Sequence, residues 1–235
     1  MRWPLIVLVG LLVFAACSDD DDPTEPTPCN QCVISMPASQ DNTLYQPDGN
    51  RSNGIGEQMF IGVDTGNIRR AVVAFNVHAY VPPGSTVDSV RVFFTTITGS
   101  SITYRTGLHR VLKDWGEGAS RPSNEANGAQ AAQGDATWTH SMWPDSAWAA
   151  PGGDFIVLPS GSANVAGAIV RYTFNTTPAL TADVQSWLDD PSTNFGWLIM
   201  GNENPANPGT LKSFGTQQNV ATDRRPSLQV FYRTP

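Results

Sequence analysis

Short apolar runs, each closed by a turn signal, recur along most of this chain, and that rhythm limits its fold more than any other feature. "EQMFIGV" is followed through "DTGNI" by "RRAVVAFNV", in which Val73, Phe75 and Val77 share one face. "VPPGSTVDSVRVFFTTI" opens on a proline turn and then alternates Val90, Val92 and Phe94. "ITYRTGLHRVL", "DFIVL", "IVRYTF", "FGWLIMG" and "PSLQVFY" continue the series. A period of two over runs this short is the mark of half-buried strands, and about eight to ten of them joined by short connections predict an antiparallel β-sandwich. Composition agrees: Gly, Thr, Ser, Asn and Pro are plentiful and lysines and glutamates few.

One segment carries the helical period instead. In "TTPALTADVQSWLDDP", Leu180, Val184, Trp187 and Leu188 form a single apolar stripe. Thr177 and Pro178 suit an N-cap and first helical position, and Pro191 stops the run. The expected fold is therefore all-β with one short helix, and Trp187 is expected in its core.

The N-terminus does not belong to that fold. Arg2 precedes an apolar run from Leu5 to Phe14, too short to span a bilayer, and then Ala15, Ala16 and Cys17. This is a secretory signal over residues 1–17, and "FAAC" is similar to a lipoprotein cleavage box in which Cys17 becomes the lipidated first residue. Cleavage at an ordinary small-residue site is the alternative. Next comes "SDDDDPTEPTP", which has almost nothing to bury, so residues 18–37 read as an acidic, extended tether. The domain is expected over residues 38–235. Removing the signal takes away one cation and no acid, so the net charge goes from −7 to −8. That balance argues against nucleic acid and against holding an anionic membrane by charge, and leaves the acyl anchor as the membrane contact. The expected location is the cell envelope, at the outer membrane or cell surface. Cys29 and Cys32 in "PCNQCV" lack the further ligands of a zinc site and the strand–helix setting of a redox pair. They read as a local disulfide, with free thiols as the alternative.

Chemistry is sparse. Asp114 and Glu117 in "KDWGEG", with Asp135, Asp145 and Asp154, are the carboxylates available for a glycosidase-type pair, but no spacing singles out two of them. His78, His109 and His140 are scattered, with His78 and His109 in strand-like runs, and no G-x-S-x-G, H-E-x-x-H or phosphate loop accompanies them. "DNTLYQPDGNRSNG" and "GVDTGN" are oxygen-rich and could hold a structural calcium ion. The long polar stretch between "KDWGEG" and "GDATW" reads as a surface loop. Beside it, "ATWTHSMWPDSAWAAPGGDF" places Trp138, Trp143 and Trp148 five residues apart, a spacing that fits neither strand nor helix. Those rings are candidates for stacking on sugar at the rim of the sandwich; equally, they could seal its core.

Taken in order, "DNTLYQPDGNRSNG", "RRAVVAFNV", "VPPGSTVDSVRV", "LHRVLKDWGEG", "GDATWTHSMW", "WAAPGGDF", "VQSWLDDPSTNFGWLIMGNE" and "RPSLQVFY" resemble the secreted bacterial and archaeal family named DNRLRE, from Asp41 to Tyr232. The resemblance implies a jelly-roll-like sandwich, found in surface proteins and beside polysaccharide-active enzymes, with some modules assigned to carbohydrate binding and no catalytic residues. The chain departs from that pattern at "KSFGTQQ". Thr216 keeps a hydroxyl, but Gln217 and Gln218 stand where the family reads Arg-Glu. The leading expectation is a non-catalytic module that binds polysaccharide. A structural or adhesive envelope protein without a small ligand is second, and a polysaccharide hydrolase or lyase third.

Overall fold

The computed structural model describes residues 28–204, 206–207 and 209–235. The signal segment, Cys17 and the acidic part of the tether lie outside the described residues. Fifteen strand segments occur in chain order: β1 (Cys32–Pro37), β2 (Gln40–Tyr45), β3 (Arg51–Ser52), β4 (Gln58–Asp64), β5 (Asn67–Ala74), β6 (Thr86–Gly99), β7 (Tyr104–Arg110), β8 (Ala129–Gln130), β9 (His140–Met142), β10 (Ser146–Ala147), β11 (Gly161–Val165), β12 (Arg171–Phe174), β13 (Trp197–Met200), β14 (Lys212–Gly215) and β15 (Ser227–Arg233). The single α-helix among the described residues, α1 (Pro178–Asp189), lies between β12 and β13.

The fold is all-β and antiparallel, a curled sheet in the order β1-β15-β6-β14-β4-β5-β13-β7-β11, with β12 added to β6 and β2 to β5. It folds over on itself as a sandwich. β1, β15, β6 and β12 make one layer, β2, β5, β13, β7 and β11 the other, and β14 and β4 lead from one to the other. The alternation along β6 puts Val90, Val92 and Phe94 wholly inside, against Leu228 and Val230 of β15 and Phe214 of β14. From the facing layer come Ala71, Val73, Leu108, Trp197 and Ile199. The helix closes one end: its stripe of Leu180, Val184, Trp187 and Leu188 is buried, and the Trp187 ring meets Trp197 edge-on at 4.6 Å. Thr177 caps it, its hydroxyl accepting from Leu180 N at 3.0 Å, with Pro178 in the first turn.

Two sequence expectations change. The sandwich starts before residue 38: β1 pairs with β15 from Cys32↔Tyr232 to Pro37↔Ser227, and Met36 is fully buried. The tether therefore ends ahead of the Cys29–Cys32 disulfide, whose Cα atoms are 5.8 Å apart, and Cys29 is hydrogen-bonded to Thr234 beside the C-terminus. "DFIVL" is not a strand. It makes one bridge, Val111↔Phe155, and then leaves Ile156, Val157 and Leu158 exposed by 42%, 81% and 79%.

"AVVAF" in β5 and "WLIM" in β13 are apolar at every position because their layer is covered on both faces. Val73 and Trp197 point into the sandwich; Val72, Ala74 and Leu198 point outward into a second apolar cluster with Leu44, Trp115, Ala136, Trp138 and Trp148. The cover is the excursion from residue 111 to 160, whose regular structure is a 3-10 turn at Glu125–Asn127, the β9–β10 ribbon and β8, which pairs with β3 from outside it.

Candidate functional site

The excursion brings Trp138 and Trp148 onto the outer face of the β5–β13 layer. Trp138 and Trp148 belong to the second core, 8% and 5% exposed, which takes both out of the candidate stacking surface. Trp148 Nε1 donates to Thr137 O at 2.8 Å, so its polar edge is also used internally. Trp138 lies under the Arg70 guanidinium at 4.8 Å; Arg70 is held in turn by a two-bond pair with Glu203 and by Gly152 O. A Cβ at Gly152, whose φ is +96°, would come within 2.4 Å of that guanidinium, so the turn requires glycine. Trp143 keeps a half-exposed ring, edge-on to His140 at 4.7 Å, and alone of the three remains open to a ligand.

Next to this cover is an open groove of about 720 Å³, walled by Leu112, Lys113, Ala149, Ala150, Phe155 and Val157, with Asp154 among its lining groups. Leu112 N donates to Asp154 O and Ile156 N to Arg110 O, so the two walls are joined by backbone hydrogen bonds. The Asp154 carboxylate accepts from Ala149 N at 2.9 Å and Ala150 N at 3.2 Å, which shapes the floor turn. Lys113 Nζ donates to Ala147 O at 2.5 Å. A carboxylate and an ammonium each keep unused bonding capacity after these contacts. Leu112 is 55% exposed.

The remaining sequence candidates separate. Asp114 accepts from Trp115 N, a turn role, and Asp145 is exposed. Asp135 is fully buried and accepts from Ser120 N and Ala132 N, which makes it a loop staple. Glu117 finds a partner that spacing did not suggest. Its Oε1 accepts from Asp41 N at 3.0 Å, Gln217 Nε2 at 2.6 Å and Gln218 Nε2 at 3.0 Å, and Gln217 N donates to Asp41 Oδ2 at 2.7 Å. Burial, with Glu117 beside it, raises the Asp41 carboxyl well above the usual range; the Gln217 hydrogen bond opposes the rise. Asp41 was missed as a site residue because its neighbours come from segments 76 and 176 positions away. No local signal marked it, because its strand, "QDNTLY", is polar over its first four positions.

His109 is nearly buried on β7, with Nδ1 3.1 Å from Ile156 O and its ring edge-on to Phe155; burial lowers its pKa. His78 is not in a strand; it sits exposed in the 3-10 turn Val77–Ala79. Within "GVDTGN", Thr65 and Gly66 both have positive φ and form a two-residue hairpin turn between β4 and β5, which accounts for its oxygen-rich composition without an ion. Thr216 donates to Gly56 O at 2.7 Å, and Lys212 Nζ donates to three loop carbonyls, Ser100, Ile102 and Ala166. Among the described residues no three His, Cys, Asp or Glu side chains converge as metal ligands, and no helix is long and apolar enough to cross a membrane.

Neither a protein-family model nor a curated protein matches this chain.

Proposed function

We propose that this protein is a non-catalytic β-sandwich module of the cell envelope, anchored by a lipid on Cys17, that binds polysaccharide through its loop-built outer face. The groove beside Phe155 carries the reading: it is open, mostly apolar in its lining, and bordered by Lys113 and Asp154. A pyranose ring offers an apolar C–H face and a rim of hydroxyls; Phe155, Ala149 and Leu112 suit the face, and the charged pair suits the rim. The sequence resemblance to DNRLRE domains supports the same reading. The carboxylates that share a network, Asp41 and Glu117, do not suit hydrolysis, because Asp41 is wholly buried and its Oδ2 is held by Gln217 N.

Affinity electrophoresis in gels containing soluble polysaccharides, with a glycan array alongside, tests the proposal. Wild type is expected to be retarded by at least one glycan, and Lys113→Ala and Val157→Asp each to weaken that retention about tenfold, equivalent to 1.4 kcal/mol. Retention unchanged in both variants would remove the groove as the site. A second reading has its own observation: Leu112, Ile156, Val157 and Leu158 form an exposed aliphatic strip beside the groove, of the kind that covers a protein partner. It predicts no retardation by any glycan, and loss of cross-linking to an envelope protein in Val157→Asp.

A further inference from the structure

Asp41 and Glu117 leave an electrostatic problem that the side chains of the fold do not solve. Asp41 is fully buried, and while its Oδ2 accepts from Gln217 N, its Oδ1 has no donor. Gln218 repeats the deficit. Its Nε2 is committed to Glu117 Oε1 at 3.0 Å and Gly54 O at 3.4 Å, and its Oε1 is buried without a donor. The four ion pairs among the described residues use Asp48, Glu203, Asp183 and Asp88, so no lysine or arginine neutralises either carboxylate. Two acids and two unmatched acceptor oxygens on one small network call for a positive charge from outside the chain.

We propose that this network binds a hard cation, Ca²⁺ by charge and ligand type, through Asp41 Oδ1, the Glu117 carboxylate and the Gln218 carboxamide oxygen. All three are oxygen ligands, and the absence of a convergent His or Cys among the described residues removes zinc-type chemistry. The half-buried Glu117, Gln217 and Gln218 give an entry path and room for water to complete the coordination. Asp41 comes from β2, Glu117 from the outer cover and Gln218 from the turn after β14. The ion would therefore fasten the cover to the sandwich, a role separate from the glycan groove.

Thermal unfolding of the purified protein after EDTA treatment, then with CaCl₂, MgCl₂ or NaCl at constant ionic strength, tests this. Calcium at a hundredfold above its Kd is expected to raise the wild-type Tm by roughly 5–10 °C. Two variants supply what the ion would. Asp41→Asn removes a charge and offers an amide donor to the orphaned oxygens. Gln217→Arg puts a guanidinium where Nε2 now lies 2.6 Å from Glu117 Oε1. Both are expected to fold, to match or exceed wild type in EDTA, and to show no calcium shift. A wild-type Tm that ignores all three salts overturns the proposal, and a proton on Asp41 then meets the deficit, visible as a Tm in EDTA that rises as pH falls. A calcium shift that persists in Asp41→Asn overturns it as well, by placing the ion elsewhere.

Discussion

The two faces of the β5–β13 layer are both buried, but by different means. On the inner face strand meets strand, with the helix closing the end, and the contacts are nearly all between apolar side chains: Val73, Trp197 and Ile199 against Val90, Phe94 and Trp187. On the outer face a run of turns does the covering. Turns carry backbone groups that no ladder satisfies, so this side depends on placed polar contacts: Trp148 Nε1 on Thr137 O, Arg70 on Glu203, and the Asp135 and Asp154 carboxylates on loop amides. A face built from period-two strands is tolerant in detail and rigid in outline. A face built from hydrogen-bonded turns can carry a groove, and binding features concentrate on such segments.

Several substitutions would break or sharpen that contrast. Trp197→Ala opens the inner core, loses the Phe75 and Trp187 rings, and leaves Asp183 without the indole donor at 2.8 Å; a loss of about 4–5 kcal/mol is expected in urea unfolding. Trp148→Ala on the outer face should cost less, about 3 kcal/mol, because turns can collapse partway into the space. Its signature is faster amide exchange confined to the 111–160 excursion with the sheet still protected. Global exchange in that variant would mean that the two faces are one cooperative unit. Lys212→Met tests a second turn region held by polar contacts. It removes the donor from three partly solvated carbonyls and is expected to cost about 1–2 kcal/mol by the same urea measurement.

The pH dependence should be smaller and of known sign. Burial holds the His109 pKa below 6.5, so the unfolded chain binds a proton more readily; the stability concerned is present above 6.5 and is lost as pH falls through the lowered value. Asp41 acts oppositely. With any bound cation removed by EDTA, its raised carboxyl adds stability as pH falls toward 3.8, so the His109 slope is best read in the Asp41→Asn background, where His109→Gln should flatten it. Smallest of all, Trp143→Ala should move stability by less than about 1 kcal/mol, because its ring lies outside both buried clusters. A larger loss would put Trp143 with its two buried neighbours.

Legibility from sequence followed the source of order in each region. β6, β7, β12 and β15 were marked by their own alternation, β5 and β13 by short apolar runs, and α1 by its stripe and the Thr177–Pro178 start, because those signals are local. β1 and β2 were not: "CVISMP" and "QDNTLY" take their strand character from β15 and β5 across the fold. "DFIVL" shows the converse, an apolar run that the tertiary structure leaves largely in solvent. At the candidate site, Glu117 was legible as an acid in a glycine turn, but the Asp41 and Gln218 contacts were not.

The sequence by itself determined the class of the fold, its helix and its acidic balance. Each of these follows from composition or a short period, which acts within a few residues. Only the tertiary structure decided that Trp138 and Trp148 seal a second core while Trp143 stays half open. It also decided that the segments flanking the surface loop form a third layer through Trp115, Ala136, Trp138 and Trp148, and that Asp41 and Glu117 share one network. Those outcomes depend on which segments meet across the sandwich, and burial, the force that sorts them, is a property of the assembled chain rather than of any stretch along it.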